Sequence, residues 1–237
     1  MMPRGLVNGV SAHTSTSHPY AAKMAGFDPT DPFDMLITLI IIAATAVVSF
    51  MALKNPRLMD DLILWPPAIV RNREYYRLFT YGLVHADFSH LFFNMLTLFF
   101  FGRAMEGVFT ARLGSLGFAA FYLGALLVSI LPTYIKNRKS STYRSLGASG
   151  AVSAVLFAYI LFAPWSKIIV LILPIPAILY AVLYVVYSVM MDRRGHDNVN
   201  HSAHLWGAGY GVLFTVFIYP PVLPLFLSQL SQPQLGF

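Results

Sequence analysis

The chain has 237 residues, of which 57% are hydrophobic and only 11% are charged, and its formal net charge is +6. Soluble domains contain roughly 25% charged residues, so the composition indicates a polytopic membrane protein. The sequence contains no cysteine, which excludes disulfides, thiolate metal sites and a cysteine nucleophile. The positive charges are spread among the loops, a distribution that suits anionic lipid headgroups rather than nucleic acid.

Both ends of the chain are predicted to lie outside a single domain over residues 33–223. Residues 1–32 are rich in Ser, Thr, His, Pro and Gly and have no sustained apolar run, which predicts a disordered tail. They do not resemble a signal peptide, because no small-residue cleavage site follows the first apolar segment. Residues 224–237 are predicted to form a short C-terminal tail.

Six segments are predicted to cross the membrane. A helix needs about 20 apolar residues to span the hydrocarbon core, and strands are not expected because open sheet edges leave backbone groups unsatisfied in lipid. The sequence therefore predicts an all-α bundle of six transmembrane helices. In chain order the segments are residues 33–53, 88–108, 112–134, 147–165, 168–191 and 200–219.

Two regions depart from a simple pattern of spans and short loops. The connection from Lys54 to Asp87 is long and mixes aromatic residues with arginines. This mixture is typical of a segment that lies in the membrane interface, with its arginines reaching the headgroups. Pro174 and Pro176 are near the start of the fifth span and are expected to kink it or to thin its first turns.

Four polar residues on alternate spans are expected at one depth. Segments two, four and six all begin on the same side of the membrane. His90 and Asn94 lie in the first turns of segment two, Ser149 starts segment four, and His204 lies in the first turns of segment six. Ionisable and amide side chains within membrane helices are functional candidates by default. Their shared depth predicts a common site.

Ser149 and His204 are the residues of this set that match nucleophilic catalysis. A serine hydroxyl needs an adjacent base to remove its proton, and a neutral histidine is the usual base. Segments four and six contain no acidic residue away from their ends, and Asp197 belongs to the loop before segment six. The sequence therefore predicts a Ser149–His204 dyad without an acidic third member.

The tetrahedral intermediate of such a reaction needs hydrogen-bond donors. His90 and Asn94 are one helical turn apart on one face, and the backbone N–H of Ser149 at a helix start is a further donor. Gly207 and Gly211 form a GxxxG pattern on segment six, where another backbone can approach closely. We expect segment four to pack there.

Two other functions are compatible with these residues. A metal site is one, since His201 and His204 are three residues apart and His85 and His90 lie at the same level. Hydrolytic and oxidative metal sites usually include carboxylates, and the nearby ones belong to loops. A non-catalytic protein that binds or transports membrane segments is the other, and it predicts no special role for the Ser149 hydroxyl.

Three motifs in this order resemble the rhomboid intramembrane serine proteases over nearly all of residues 33–219. The resemblance implies a six-helix fold in which Ser149 is the nucleophile, His204 is the base, and His90 and Asn94 form the oxyanion hole. It implies cleavage of transmembrane segments of other membrane proteins, without a metal or organic cofactor. It also implies that Gly147, Gly207 and Gly211 support the structure of the site. The three motifs are His90-Leu-Phe-Phe-Asn94, Gly147-Ala-Ser-Gly150 and Ala203-His204-Leu-Trp-Gly207-x-x-x-Gly211.

The chain departs from the family at Ser153. Family members often carry an aromatic residue four positions after the nucleophile, stacked on the catalytic histidine. Serine cannot stack, so His204 is expected to be positioned by other packing.

The side of the membrane that the site faces is predicted in opposite ways by charge and by resemblance. Eleven Lys and Arg residues lie on the predicted side of the site and five on the other, which places the site toward the cytoplasm by the positive-inside rule. The resemblance implies an extracytoplasmic site in a bacterial inner membrane. We favour the resemblance, because several of the arginines belong to the interfacial connection. The sequence leaves the natural substrate and the oligomeric state open.

Overall fold

The structure is a computed structural model that describes residues 35–170, 172–195, 197 and 199–233. The predicted disordered tail, residues 1–32, lies outside the described residues. The described chain is mainly helical, with one short β-hairpin. Its helices are α1 (Leu36–Lys54), α2 (Pro56–Leu62), α3 (Pro66–Asn72), α4 (Arg77–Thr80), α5 (Phe88–Thr97), α6 (Arg103–Leu113), α7 (Gly117–Asn137), α8 (Ser149–Phe162), α9 (Ala177–Arg194), α10 (His201–Ile218) and α11 (Val222–Leu230).

Three of the described helices are long and apolar enough to cross a membrane. They are α1, α7 and the stretch Phe88–Leu113, in which a π-helical turn (Leu98–Gly102) joins α5 to α6. Helices α10 and α11 meet the same criteria as one pair bent by 115°. The prediction of a helical, membrane-spanning protein is therefore confirmed. The count of six spans stays a prediction, because α8 and α9 do not reach this length and composition.

The fifth predicted span begins differently from the prediction. Its first residues form an antiparallel hairpin of β1 (Lys167–Val170) and β2 (Leu173–Pro176). Helix α9 starts directly after it, at Ala177. Pro174 and Pro176 therefore lie in a strand, and the expected kink or thinning of a helix there was wrong. Proline has no N–H and clashes with the preceding helical turn, but an edge strand accepts it.

The predicted C-terminal tail is helical over its first part. Helix α11 includes residues 224–230, and its first residue, Val222, is fully buried. The Trp165 indole N–H donates a hydrogen bond of 2.8 Å to the carbonyl oxygen of Gln229. Helix α11 is thereby attached to the loop that follows α8.

The connection between α1 and α5 is organised by the buried Arg77 guanidinium. It donates to the Glu74 carboxylate at 2.5 Å and to the carbonyl oxygens of Asp60 and Ile63 at 2.5 and 2.9 Å. The rigid guanidinium fork suits such a multiple contact. A β-bridge between Leu64 and Ser145 then joins this connection to the segment before α8. Its position in the membrane interface stays a prediction.

Helix α1 is anchored at its start by a distant acidic residue. The buried Glu106 carboxylate of α6 accepts hydrogen bonds from the backbone N–H groups of Ile37 (2.8 Å) and Thr38 (2.7 Å). The first amides of a helix have no partner within the helix, and a negative charge there complements the helix dipole. The contact fixes the start of α1 to the first turn of α6.

Helix α8 lies at the centre of the fold. It has 14 residues, of which 12 are buried, and it is apolar on all its faces, as expected for an enclosed helix. It packs mainly against α10 and α7. At about 1.5 Å per residue it is much shorter than the ~30 Å hydrocarbon core. Ser149 is the first residue of this short helix.

Candidate active site

Ser149 and His204 are in direct contact. Ser149 begins α8 and His204 lies in the first turn of α10, and the serine Oγ is 2.7 Å from the histidine Nε2. Both side chains are half-buried. A distance of 2.7 Å is that of a good hydrogen bond. The histidine nitrogen is therefore placed to take the serine proton.

The contact between α8 and α10 depends on glycines that allow their backbones to touch. A Cβ on Gly207 would lie 1.9 Å from the carbonyl oxygen of Gly150, and one on Gly211 would lie 2.1 Å from that of Ala154. No side chain fits at such distances. The GxxxG pattern of α10 thus faces α8, as in close helix pairs in membranes, and this approach brings Ser149 to His204.

Gly147 shapes the loop before Ser149. Its φ of +105° belongs to the region that favours glycine, and its amide donates to the Tyr81 carbonyl oxygen at 2.9 Å. A Cβ at this position would lie 2.5 Å from Cε1 of the His90 ring. The loop therefore passes directly over His90.

The two predicted oxyanion residues occupy different environments on α5. Asp87 caps this helix by accepting a 2.8 Å hydrogen bond from the His90 backbone N–H. The His90 ring is half-buried beside Gly147, whereas the buried Asn94 amide donates to the His90 carbonyl oxygen at 3.0 Å. An asparagine amide has two N–H donors, so this bond uses one of them.

His85 supports the loop before Ser149, a role that the sequence had not indicated. It is fully buried, with Nδ1 2.9 Å from Ser49 Oγ and Nε2 3.3 Å from the backbone N of Ala148. The single Ser49 hydroxyl proton is donated to the Leu83 carbonyl oxygen at 2.7 Å. Nδ1 must therefore carry the ring proton, which leaves Nε2 free to accept from Ala148. The one indication of this role in the sequence is the spacing His85-x4-His90-x3-Asn94, which places His85 close to the predicted site residues.

Replacing His85 with glutamine is expected to reduce the loss of stability in acid. Burial, and then the neighbouring His90, lower the pKa of His85 to about 3. Below the unfolded value of about 6.5 the unfolded chain binds a proton that the folded chain refuses, so stability falls as the pH drops from 6.5 toward 3. Glutamine cannot titrate, and its Oε1 can accept from Ala148. Thermal unfolding of the wild type and the variant from about pH 7 to about pH 4 measures how steeply the stability of each falls with pH. An equal fall in the two proteins would contradict the assignment of His85 as a buried, neutral acceptor.

Acidic residues do not contact His204 in the described part of the chain. The nearby Asp197 carboxylate lies 3.0 Å from Nε2 of His201, a hydrogen bond that lowers the pKa of Asp197. His204 instead packs against the ring of Tyr184 on α9, at 5.9 Å between centroids. The described contacts of His204 thus include a serine hydroxyl and an aromatic ring.

Asn200 holds the start of α10, one turn before His204. Its Oδ1 accepts from the Ala203 backbone N–H at 3.0 Å and from the Thr133 hydroxyl at 3.2 Å. Its amide donates to Tyr143 and Ser145 oxygens, both at 3.2 Å. Side-chain caps of this kind satisfy helix amides that lack partners. Asn200 therefore ties α10 to α7 and to the segment before Ser149.

Two of the histidines that suggested a metal site, His85 and His201, form hydrogen bonds to other groups. Both ring nitrogens of His85 are engaged with Ser49 and Ala148, and His201 contacts Asp197. Among the residues that the structure describes, no group of three or more His, Asp or Glu side chains is arranged to hold a metal ion.

Comparison with known proteins gives the family. A "Rhomboid domain" profile matches residues 72–221. The chain is 26% identical over 194 residues to RHOMBOID-like protein 12, mitochondrial, of Arabidopsis thaliana, which covers 76% of this chain and 57% of that protein. It is 28% identical over 170 residues to YdcA of Bacillus subtilis (strain 168), which is named as a candidate rhomboid protease; the match covers 65% of this chain and 76% of that protein. It is 30% identical over 141 residues to Rhomboid protein 1, mitochondrial, of Saccharomyces cerevisiae, and this match covers 56% of this chain and 39% of that protein. With the profile matching more than half of its length, the chain belongs to the rhomboid family.

Proposed function

We propose that this protein is an intramembrane serine endopeptidase that cleaves transmembrane segments of other membrane proteins. The observation that carries the proposal is the 2.7 Å contact between Ser149 Oγ and His204 Nε2. His204 removes the hydroxyl proton as Ser149 attacks the scissile carbonyl carbon, and then delivers that proton to the leaving amine. Water hydrolyses the acyl-enzyme in the second half of the reaction.

The oxyanion is stabilised by donors around the start of α8. The backbone N–H of Ser149 lies in the first turn of that helix, where amides have no helical partner. His90 lies beside the preceding loop, and Asn94 is one turn further along α5. We assign these three groups to the oxyanion hole, with Gly147, Gly207 and Gly211 as structural support.

The substrates are helical segments that unwind locally. A helix in lipid resists hydrolysis, because its backbone groups are hydrogen-bonded internally. Small or helix-breaking residues near the scissile bond make unwinding easier. The reaction as assigned uses only side chains and water and calls for no cofactor. The bilayer and the transmembrane substrates are the partners.

An inactive rhomboid-like protein is the second candidate: six of the relatives compared carry the words "rhomboid-like" in their names, and those names state no protease activity. Such a protein binds transmembrane segments without cutting them. It places no demand on the Ser149 hydroxyl, whereas an endopeptidase requires it. The metal-dependent hydrolase has no cluster of ligands to favour it among the described residues.

We propose that the site faces the extracytoplasmic side of the membrane. The Lys and Arg count favours the opposite side, but two of the cations on the site's side serve the local structure. Arg77 is buried against Glu74, and Arg144 pairs with Asp60. One relative is named as mitochondrial and another comes from a bacterium. If this protein is bacterial, we expect it in the inner membrane.

A fluorophosphonate probe tests both the chemistry and the sidedness. The serine hydroxyl is expected to displace the fluoride, so that mass spectrometry finds a phosphonylated Ser149. Ser166, whose hydroxyl is bonded to the Ala163 carbonyl oxygen, is the internal control and stays unmodified. A membrane-impermeant form of the probe, added to sealed vesicles of each orientation, is expected to label from the extracytoplasmic face. Absence of any Ser149 adduct would reject the endopeptidase.

A further inference from the structure

The ring of Tyr184 covers His204 from a helix that contributes nothing else to the dyad. The two rings stack with centroids 5.9 Å apart and planes inclined by 27°. Tyr184 belongs to α9, whereas Ser149 and His204 belong to α8 and α10. A flat aromatic surface against one face of an imidazole restricts the rotation of that imidazole about its side-chain bonds.

The hydroxyl of Tyr184 is tied to the nucleophile's own helix. It lies 2.5 Å from Ser153 Oγ, which donates its single proton to the Ser149 carbonyl oxygen at 2.7 Å. Since that proton is used, Tyr184 must be the donor to Ser153. A chain of two hydrogen bonds therefore runs from the ring that covers His204 to the backbone of Ser149.

The residue at position 153 and the ring of Tyr184 are complementary. Ser153 is buried and small, and the Tyr184 hydroxyl contacts it directly. The rings of Phe157 and Tyr180 lie 5.6 and 5.7 Å from that of Tyr184 and pack around it. An aromatic residue at 153 would occupy the place of the Tyr184 hydroxyl. The serine thus provides both the space and the acceptor that Tyr184 needs.

We infer that Tyr184 is the positioning residue for His204, with Ser153 as its anchor. The inference rests on the proposed endopeptidase, because it concerns the alignment of that dyad. Helix α9 has few buried residues (Ala177, Ala181 and Ser188) and a large exposed apolar surface. The orientation of His204 therefore depends on the position of α9, and a displacement of α9 would move the Tyr184 ring away from His204.

Replacing Tyr184 with leucine is expected to lower kcat for a transmembrane substrate. The aliphatic side chain keeps an apolar contact but loses the flat ring and the hydroxyl, so His204 spends less time aligned with Ser149. Small misalignments of catalytic groups cost about 10- to 100-fold in rate. KM should change by less than about twofold, because only transition-state stabilisation is lost. A purely structural role would instead appear as lower thermal stability with kcat retained.

Variants at the anchor separate the ring from the hydroxyl. Tyr184→Phe removes the hydrogen bond to Ser153, whereas Ser153→Ala removes that bond together with the one to the Ser149 carbonyl oxygen; each is expected to lower kcat by about fivefold. Because the two residues share the first bond, the double variant should be no worse than Ser153→Ala. Tyr187→Leu is the matched control: this ring is on the same helix, contacts the edge of His201 and is largely exposed, so kcat should be unchanged.

The outcomes distinguish this inference from the proposed function. If the wild type cleaves and Tyr184→Leu retains full kcat, the positioning role is overturned and the endopeptidase stands. If the wild type cleaves nothing, the proposed function has failed. A crystal structure of Tyr184→Leu then decides the positioning role: separation of Ser149 Oγ and His204 Nε2 beyond about 3.5 Å supports it, and an intact contact rejects it.

Discussion

Replacing Ser149 with alanine is expected to abolish cleavage of a transmembrane substrate while leaving the fold intact, the largest effect that we expect on activity. The Ser149 hydroxyl is the group that His204 contacts, at 2.7 Å. In serine proteases, loss of the nucleophile lowers kcat by about a millionfold. Alanine fits the half-buried site at the start of α8, so the change should cost little stability.

His204→Ala is expected to be comparably inactive, and the double variant no worse than either single one. Nucleophile and base act as a unit, so removal of either already removes the reaction path. If the serine served only to bind substrate and the histidine only to pack, neither single substitution would abolish cleavage.

The measurement is cleavage of a model transmembrane substrate by purified protein in lipid vesicles. Insertion and thermal unfolding of each variant are checked in parallel, so that loss of activity is not confused with loss of fold. Ser166→Ala, a serine outside the site, is the control and should cleave at the wild-type rate. Residual cleavage by Ser149→Ala at a substantial fraction of the wild-type rate would remove Ser149 as nucleophile.

Much of the site follows from the sequence because a membrane simplifies the geometry. Alternating spans fix which helix ends share a side, so Ser149 and His204 were expected at one depth before any contact was known. The GxxxG pattern indicated which helices pack closely, and the structure places the two glycines against Gly150 and Ala154. Few polar residues occur in the apolar segments, so each one was informative.

The remaining features depend on contacts that an apolar pattern does not encode. Tyr184 is one of several aromatic residues in a helix with an exposed apolar surface, and its rotation toward His204 is fixed only when α9 is packed. Likewise, the hairpin of Lys167–Val170 and Leu173–Pro176 consists mostly of apolar residues, a composition that a helix can also have, and only its two prolines argue against a helix. His85 lies in a loop, where its partners Ser49 and Ala148 come from distant parts of the chain.

Gly207→Ala is expected to have the largest effect on stability. The added methyl would meet the Gly150 carbonyl oxygen at 1.9 Å. The neighbour is backbone and not the end of a flexible side chain, so α8 and α10 must separate. Overpacking of this kind costs about 1–3 kcal/mol. For a protein of this size, that lowers the unfolding temperature by several degrees.

The same substitution should also lower activity, because Ser149 and His204 are on the two helices that it separates. A displacement of about 1 Å between catalytic groups can cost about a hundredfold in rate. Gly209→Ala is the matched control, since it adds the same methyl two residues away on α10, where the methyl would meet nothing within 4 Å beyond the neighbouring backbone of its own helix. Alanine favours a helix over glycine by about 1 kcal/mol, so this control should be as stable as the wild type or more so, and fully active. Equal unfolding temperatures and rates for the two variants would mean that the contact between α8 and α10 does not align the dyad.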